Sequence, residues 1–207
     1  MKKLLLFVMM LFLVFGCSKN SDELVMVTEA GFAPYEYYRD GEIVGVDVDI
    51  AKEIAKELGK KLVIKDIAFD SIVNEVKTGK ADFGAAGISY NEERAKQVDF
   101  SNDYSVSRQV AVVRENTYKS VSEIKNKKIA VQLGSIGDTF VSKNFKDADV
   151  VRQKKYLSAA EDLKASKVDA IVMDELPAKQ IVLNNTGLVI LDEEITSDSY
   201  GMIVKKG

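Results

Sequence analysis

The 207 residues are 46% apolar, enough to bury a core shared between two small lobes. With 29 basic against 32 acidic residues and a net charge of -3, the chain has no basic field for nucleic acid. It has no histidine and a single cysteine, Cys17, which excludes Ser-His-Asp and Cys-His nucleophilic schemes and the usual zinc sites, so neither a metal nor another cofactor is expected.

Lys2 and Lys3 precede a continuous apolar run, Leu4 to Phe15, that is too short to span a bilayer comfortably and ends in Gly16-Cys17. Residues 1–17 therefore read as an export signal. Val14-Phe15-Gly16-Cys17 resembles a bacterial lipobox, which implies that Cys17 becomes a lipidated N-terminus. The short polar stretch 18–23 would then be a flexible leash.

Beyond the leash, strand and helix alternate in two rounds. Residues 24–28 predict a buried strand, 48–58 a helix stopped by Gly59, and 62–64 a strand. Residues 70–78 predict a second helix, capped by Asp70 and ended by Gly79, leading to a strand over 81–86. The second round opens with a strand over 109–114, a short helix near 121–124 and a strand over 128–132. Gly134-Ser135 then starts a helix reaching about Phe145. A strand over 149–153 follows, and Ser158 to Glu161 has the spacing of a capping box for a helix to Ser166. Residues 170–173 predict a strand, Pro177 fits the first turn of the next helix, and 188–191 and 201–204 predict two last strands. The pattern predicts an α/β fold of open sheets with flanking helices in two lobes. Lobe 1 would take residues 24–107 with 200–207 returning toward it, and lobe 2 residues 108–199. Two crossing strands near 105–108 and 199–201 would form the hinge.

Ligands of open α/β sheets settle at the carboxyl ends of strands, and several such ends here carry polar or aromatic groups. Glu29 and Phe32 follow the first strand, and Gly87, Ser89 and Arg94 follow the strand through Ala86. Gln132 and Ser135 follow the strand through Val131, and Asp174 ends the strand through Met173. Together they read as a site for a zwitterion. The flat donor fork of Arg94, with Ser89 and the helix start at Ser135, suits a carboxylate; Asp174 and carbonyls near Gly87 suit an ammonium. Taken singly, Arg94 beside Glu92, Glu93 and Asp99 also reads as a solvated ion pair, Ser135 as a plain helix cap, and Asp174 as the cap of the Pro177 helix.

Phe32-Ala-Pro-Tyr-Glu36, Gly45-Val-Asp-Val-Asp-Ile50, the stretch from Asp82 to Arg94, and Val98-Asp-Phe-Ser101 with Tyr104 occur in this order. Together they resemble the family 3 periplasmic solute-binding proteins of polar amino-acid ABC transporters. The resemblance implies a two-lobed periplasmic-binding-protein fold of type II that closes on a free amino acid. It also implies delivery to a membrane permease driven by a cytoplasmic ATPase, and a monomer held outside the cytoplasmic membrane by its lipid. By motif position, Arg94 would clamp the ligand carboxylate, with Ser89, Gly87 and Ser135 in support, and Asp174 would hold the ammonium. Phe32 and Phe69 fall at the aromatic positions that sandwich the side chain in members selective for basic amino acids, with Glu29 beside them. Gln132 is neutral where glutamine-binding relatives tend to carry lysine, which favours arginine or lysine. Glutamine remains the alternative, since its binders also carry an acid and two phenylalanines. A surface adhesin or sensor and a cyclohexadienyl dehydratase-like enzyme share the fold. The resemblance further implies C-terminal helices beyond Gly207.

Overall fold

The computed structural model describes residues 22–207; Cys17, the signal segment and the leash up to residue 21 lie outside the described residues. The first sheet has the strand order β5-β1-β6-β14-β7. Here β1 is Glu23–Thr28, β5 Lys61–Asp66, β6 Phe83–Gly84, β7 Val98–Phe100 and β14 Ile203–Lys205. Strand β1 is parallel to both β5 and β6, whereas β14 runs antiparallel to β6 and β7. Residues 24–28 are all buried because the sheet is covered on both faces. Leu24 and Met26 face a cluster with Val48, Ala51 and Ala55 of helix α1 (Val46–Glu57). Val25 and Val27 face one with Ile72 and Val76 of helix α2 (Ile72–Lys77).

The second sheet has the order β10-β9-β11-β8-β12, with β13 also pairing β8. Its strands are β8 (Ser105–Arg114), β9 (Lys128–Gln132), β10 (Asp149–Gln153), β11 (Ala170–Asp174), β12 (Leu188–Ile190) and β13 (Thr196–Tyr200). Alternate residues again feed two clusters. Ala130, Ile171 and Met173 pack with residues of helices α5 (Tyr156–Lys164) and α6 (Glu175–Leu183). Ile129, Val131 and Val172 pack on the other face with Val141 of helix α4 (Ile136–Asn144). Strand β8 is ten residues long because its first half spans the junction, where residues 105–109 pair antiparallel with β13. After Tyr200 the chain returns to the first sheet as β14. These two paired strands are where the predicted hinge fell. Among the described residues no helix is long and apolar enough to cross a membrane.

Several expected boundaries are corrected. Glu23 is not leash: it opens β1 opposite Lys61. Asp70 does not cap α2, because it sits inside a single 3-10 turn, Phe69–Ser71, and Ser71 takes the cap position. The strand over 81–86 shrinks to Phe83–Gly84, since the chain leaves the sheet to line the site and turns at Gly87. Ser158 opens no capping box. Helix α5 starts at Tyr156, whose ring is buried, with Lys155 at the cap position, and Glu161 pairs with Lys164 instead. The last strand is shifted to Ile203–Lys205. A three-stranded antiparallel sheet escaped the sequence reading: β2 (Gly31–Phe32), β3 (Glu36–Arg39) and β4 (Glu42–Val44). Its signal was Asp40-Gly41, both at positive φ, a dipeptide suited to a tight hairpin. Strand β7 and the short helix α3 (Glu92–Ala95) were also missed.

Candidate functional site

Glu29, Phe32, Phe69, Gly87, Ser89, Arg94, Gln132, Ser135 and Asp174 all line one cavity between the two sheets, so the structure brings together the residues expected to bind the ligand. The loops close tightly over it. The cavity volume is about 10 Å³, roughly one water's worth.

Arg94 is only 8% exposed, which rules out the solvated ion pair. Asn91 caps α3 by accepting from the Arg94 backbone N–H at 2.8 Å, fixing where the side chain starts. Its Nη1 donates to the Ser89 carbonyl at 2.6 Å, its Nη2 to the Gly134 carbonyl at 2.9 Å, and its guanidinium lies 5.3 Å from the centre of the Phe69 ring. Burial pulls the Arg94 pKa down to about 10, against the opposing pull of Asp198 and Asp174, so the group stays cationic at neutral pH. The Ser89 hydroxyl donates to Asp198 Oδ2 at 2.9 Å. Burial and then the neighbouring charge of Asp174 push Asp198 up to about 7. Ser135 caps α4, accepting from the Asp138 N–H at 3.1 Å; it is a helix cap and a cavity-lining residue at once.

Asp174 occupies the turn from β11 into α6 but makes no side-chain cap bond. Its Oδ1 instead accepts the phenolic hydrogen of Tyr200, and burial raises its pKa while that bond opposes the rise. Gly87 has φ of 54°, and a Cβ there would stand 2.7 Å from the Phe32 ring. Only glycine suits both conditions. Its N–H donates to Asp47 Oδ2 at 3.0 Å, and Asp47 also accepts from the Tyr104 hydroxyl at 2.9 Å. Glu36 lines the cavity too, pushed well above the usual carboxylate range by burial and by Asp47.

The acidic end is built at the carboxyl ends of β1 and β5. Glu29, 1% exposed, accepts from Gln132 Nε2 at 3.0 Å, and the same amide nitrogen donates to the Lys154 carbonyl at 3.0 Å. Lys155 Nζ reaches Glu29 Oε1 at 3.3 Å and Asp66 Oδ2 at 3.2 Å. Burial raises the Glu29 pKa, and Lys155 is the main counterweight. Phe32 stacks on Tyr35 and Tyr156 with ring centres 6.0 and 5.9 Å apart, while Phe69 carries Arg94.

Sequence reasoning missed Asp198, Lys155, Glu36 and Tyr156. Glu36 and Tyr156 line the cavity, and Glu36 stood inside a quoted motif. Asp198 and Lys155 left no local signal. Asp198 sits in a polar run placed by pairing with Ser107, and Lys155 belongs to a Lys-Lys pair that reads as surface.

The profile of the bacterial extracellular solute-binding proteins, family 3, matches residues 24–174. ABC transporter arginine-binding protein 1 of Escherichia coli K12 is 28% identical over 201 residues, covering 97% of this chain and 82% of the relative. A probable histidine-binding protein of Campylobacter jejuni is 32% identical over 169 residues, covering 81% and 66%. Among solved structures, the arginine-bound form of truncated ArgBP from T. maritima superposes with a TM-score of 0.86 at 39% identity, covering 89% of each chain. An ancestral arginine-binding protein bound to glutamine gives 0.85 at 38% identity, covering 91% of this chain and 86% of that one.

Proposed function

The chain belongs to the family 3 bacterial extracellular solute-binding proteins, and from that premise we propose that it captures a free basic amino acid, arginine or lysine, and delivers it unchanged to an ABC permease and its ATPase. The observation that carries this reading is one cavity holding a buried guanidinium, Arg94, together with buried carboxylates at Asp174 and Glu29. A ligand with one carboxylate, one ammonium and a cationic side chain complements that set. Arg94, Ser89 and Ser135 take the carboxylate, Asp174 the ammonium, and Glu29 with the aromatic faces of Phe32 and Phe69 the side chain.

Lobe 1 comprises residues 23–107 with 200–207, lobe 2 residues 108–199, and Cys17 carries the lipid that holds the monomer at the outer face of the membrane. An amino acid cannot enter about 10 Å³, so it binds an open form that bends at the β8–β13 pair and then closes. The ligand shifts that equilibrium by binding the closed form better. A second reading, glutamine, is favoured by one observation: Lys155 already pairs with Glu29, so a neutral amide would meet a partly compensated acid.

Thermal melting of the purified protein against a panel of amino acids tests the proposal. A ligand at about a hundred times its Kd adds roughly 2.7 kcal/mol. A shift with arginine or lysine supports the reading, a shift with glutamine alone moves the ligand to the second, and a cooperative melt unmoved by any amino acid overturns both.

A further inference from the structure

We infer that Lys155 is a tethered competitor for the ligand's side-chain cation, with Asp66 the partner that keeps hold of it when a basic amino acid takes Glu29. The inference rests on the amino-acid-binding reading above and names what sets selectivity within that site.

Thr28 and Asp66 are register partners on adjacent parallel strands, so Glu29 and Asp66 emerge side by side from the first sheet. Asp66 is fixed there by the Ala30 N–H, which donates to its Oδ1 at 2.9 Å. Lys155 comes from the other side of the cleft, at the start of α5, and its ammonium sits between the two acids, within 3.3 Å of one and 3.2 Å of the other. Two carboxylates facing one ammonium leave one negative charge over. A cationic ligand side chain completes the balance, whereas a neutral one leaves the charge beside the buried Glu29. The side chains of Glu29 and Lys155 are 2% and 41% exposed, so the lysine can swing outward and the acid cannot. A long flexible stem and a compact charge suit such a movement. Asp66, itself partly exposed and touched by the Tyr38 hydroxyl at 3.3 Å, stays within reach of the withdrawn ammonium. Selectivity for charge is therefore set by competition: Lys155 lowers the advantage of a cationic ligand over a neutral one of the same shape.

Arginine and its neutral isostere citrulline isolate that charge. Calorimetric titration of both into the wild-type protein, Lys155→Met and Asp66→Asn gives an arginine-to-citrulline affinity ratio for each. Lys155→Met keeps the apolar stem at an exposed position and is expected to raise the ratio about fivefold or more. Asp66→Asn removes the alternative seat, leaves Lys155 on Glu29 and is expected to lower the ratio. A ratio unchanged in both variants, even if both ligands weaken equally, makes Lys155 a plain strap across the cleft and overturns the inference, as does a ratio that falls in Lys155→Met. Wild-type protein that binds no amino acid overturns the functional reading as well, which separates the two failures.

Discussion

Arg94 bridges the cleft to Gly134: its Nη2 donates at 2.9 Å to a carbonyl on the loop between β9 and α4, while Nη1 stays with Ser89 at 2.6 Å on its own side. One buried side chain thus bonds to loops of both sheets. A guanidinium has five donors, and a carboxylate arriving between the lobes can take the ones directed across the cleft. Under the proposed function, the arginine that takes the ligand carboxylate is also the one that bonds to the Gly134 loop, which would couple capture to closure.

Replacing Arg94 by alanine should weaken amino-acid binding by about a hundredfold or more, the range of a lost charge-assisted pair. The variant should still melt cooperatively, because the apolar clusters of both sheets do not include Arg94. Arg94→Lys should recover only part of the loss, since it keeps the charge and loses the fork. Calorimetric titration beside circular-dichroism melts checks this, and near wild-type affinity in the alanine variant would refute the carboxylate assignment.

Much of this was legible in the sequence because strand ends are. Buried strands such as Leu24 to Thr28 and Ile171 to Met173 appear as apolar runs, and the chain must turn polar where each leaves the sheet, which is where Glu29, Gln132 and Asp174 stand. What stayed illegible depends on long-range pairing. Asp198 reaches Ser89 only because β13 lies antiparallel to β8, and Lys155 reaches Glu29 only because α5 faces the ends of β1 and β5. No local periodicity encodes either meeting. The capping box at Ser158 failed for a related reason: burial of the Tyr156 ring, a tertiary demand, places the cap at Lys155, three residues earlier than local chemistry suggests.

Gly87→Ala should destabilise the protein by about 2–3 kcal/mol, combining a left-handed backbone with a clash against a buried ring. The methyl would stand 2.7 Å from the Phe32 ring, which is buried and held against Tyr35, Tyr156 and Tyr200. Urea denaturation gives the difference directly. A loss under about 0.5 kcal/mol, the ordinary range for surface substitutions, would mean that the Gly87 turn relaxes.

Asp198→Asn should become relatively more stabilising as the pH rises. The folded protein holds the Asp198 proton up to about 7, well above an unfolded aspartate near 3.9. Such a group contributes stability that is complete below the unfolded value and is lost as the pH climbs through the folded one. The asparagine variant has no proton to lose. Its melting temperature relative to wild type should therefore increase between pH 5 and pH 8, by the equivalent of about 1–2 kcal/mol after allowing for partial exposure. A flat difference across that range would place the Asp198 titration outside it.

Tyr200→Phe should make amino-acid binding more sensitive to acid. Tyr200 is fully buried at the end of the second crossing strand, and its hydroxyl bond to Asp174 is the largest influence holding that carboxyl down against burial. Without the hydroxyl, Asp174 keeps its proton to higher pH, and a protonated acid cannot pair with an ammonium. Titrations at successively lower pH should show affinity beginning to fall at a higher pH in the variant than in the wild type. Asp174 also loses a buried hydrogen-bond donor, so the ligand-free variant should be less stable by about 1–3 kcal/mol. Affinities that fall in step with pH in both proteins would detach Asp174 from the ammonium.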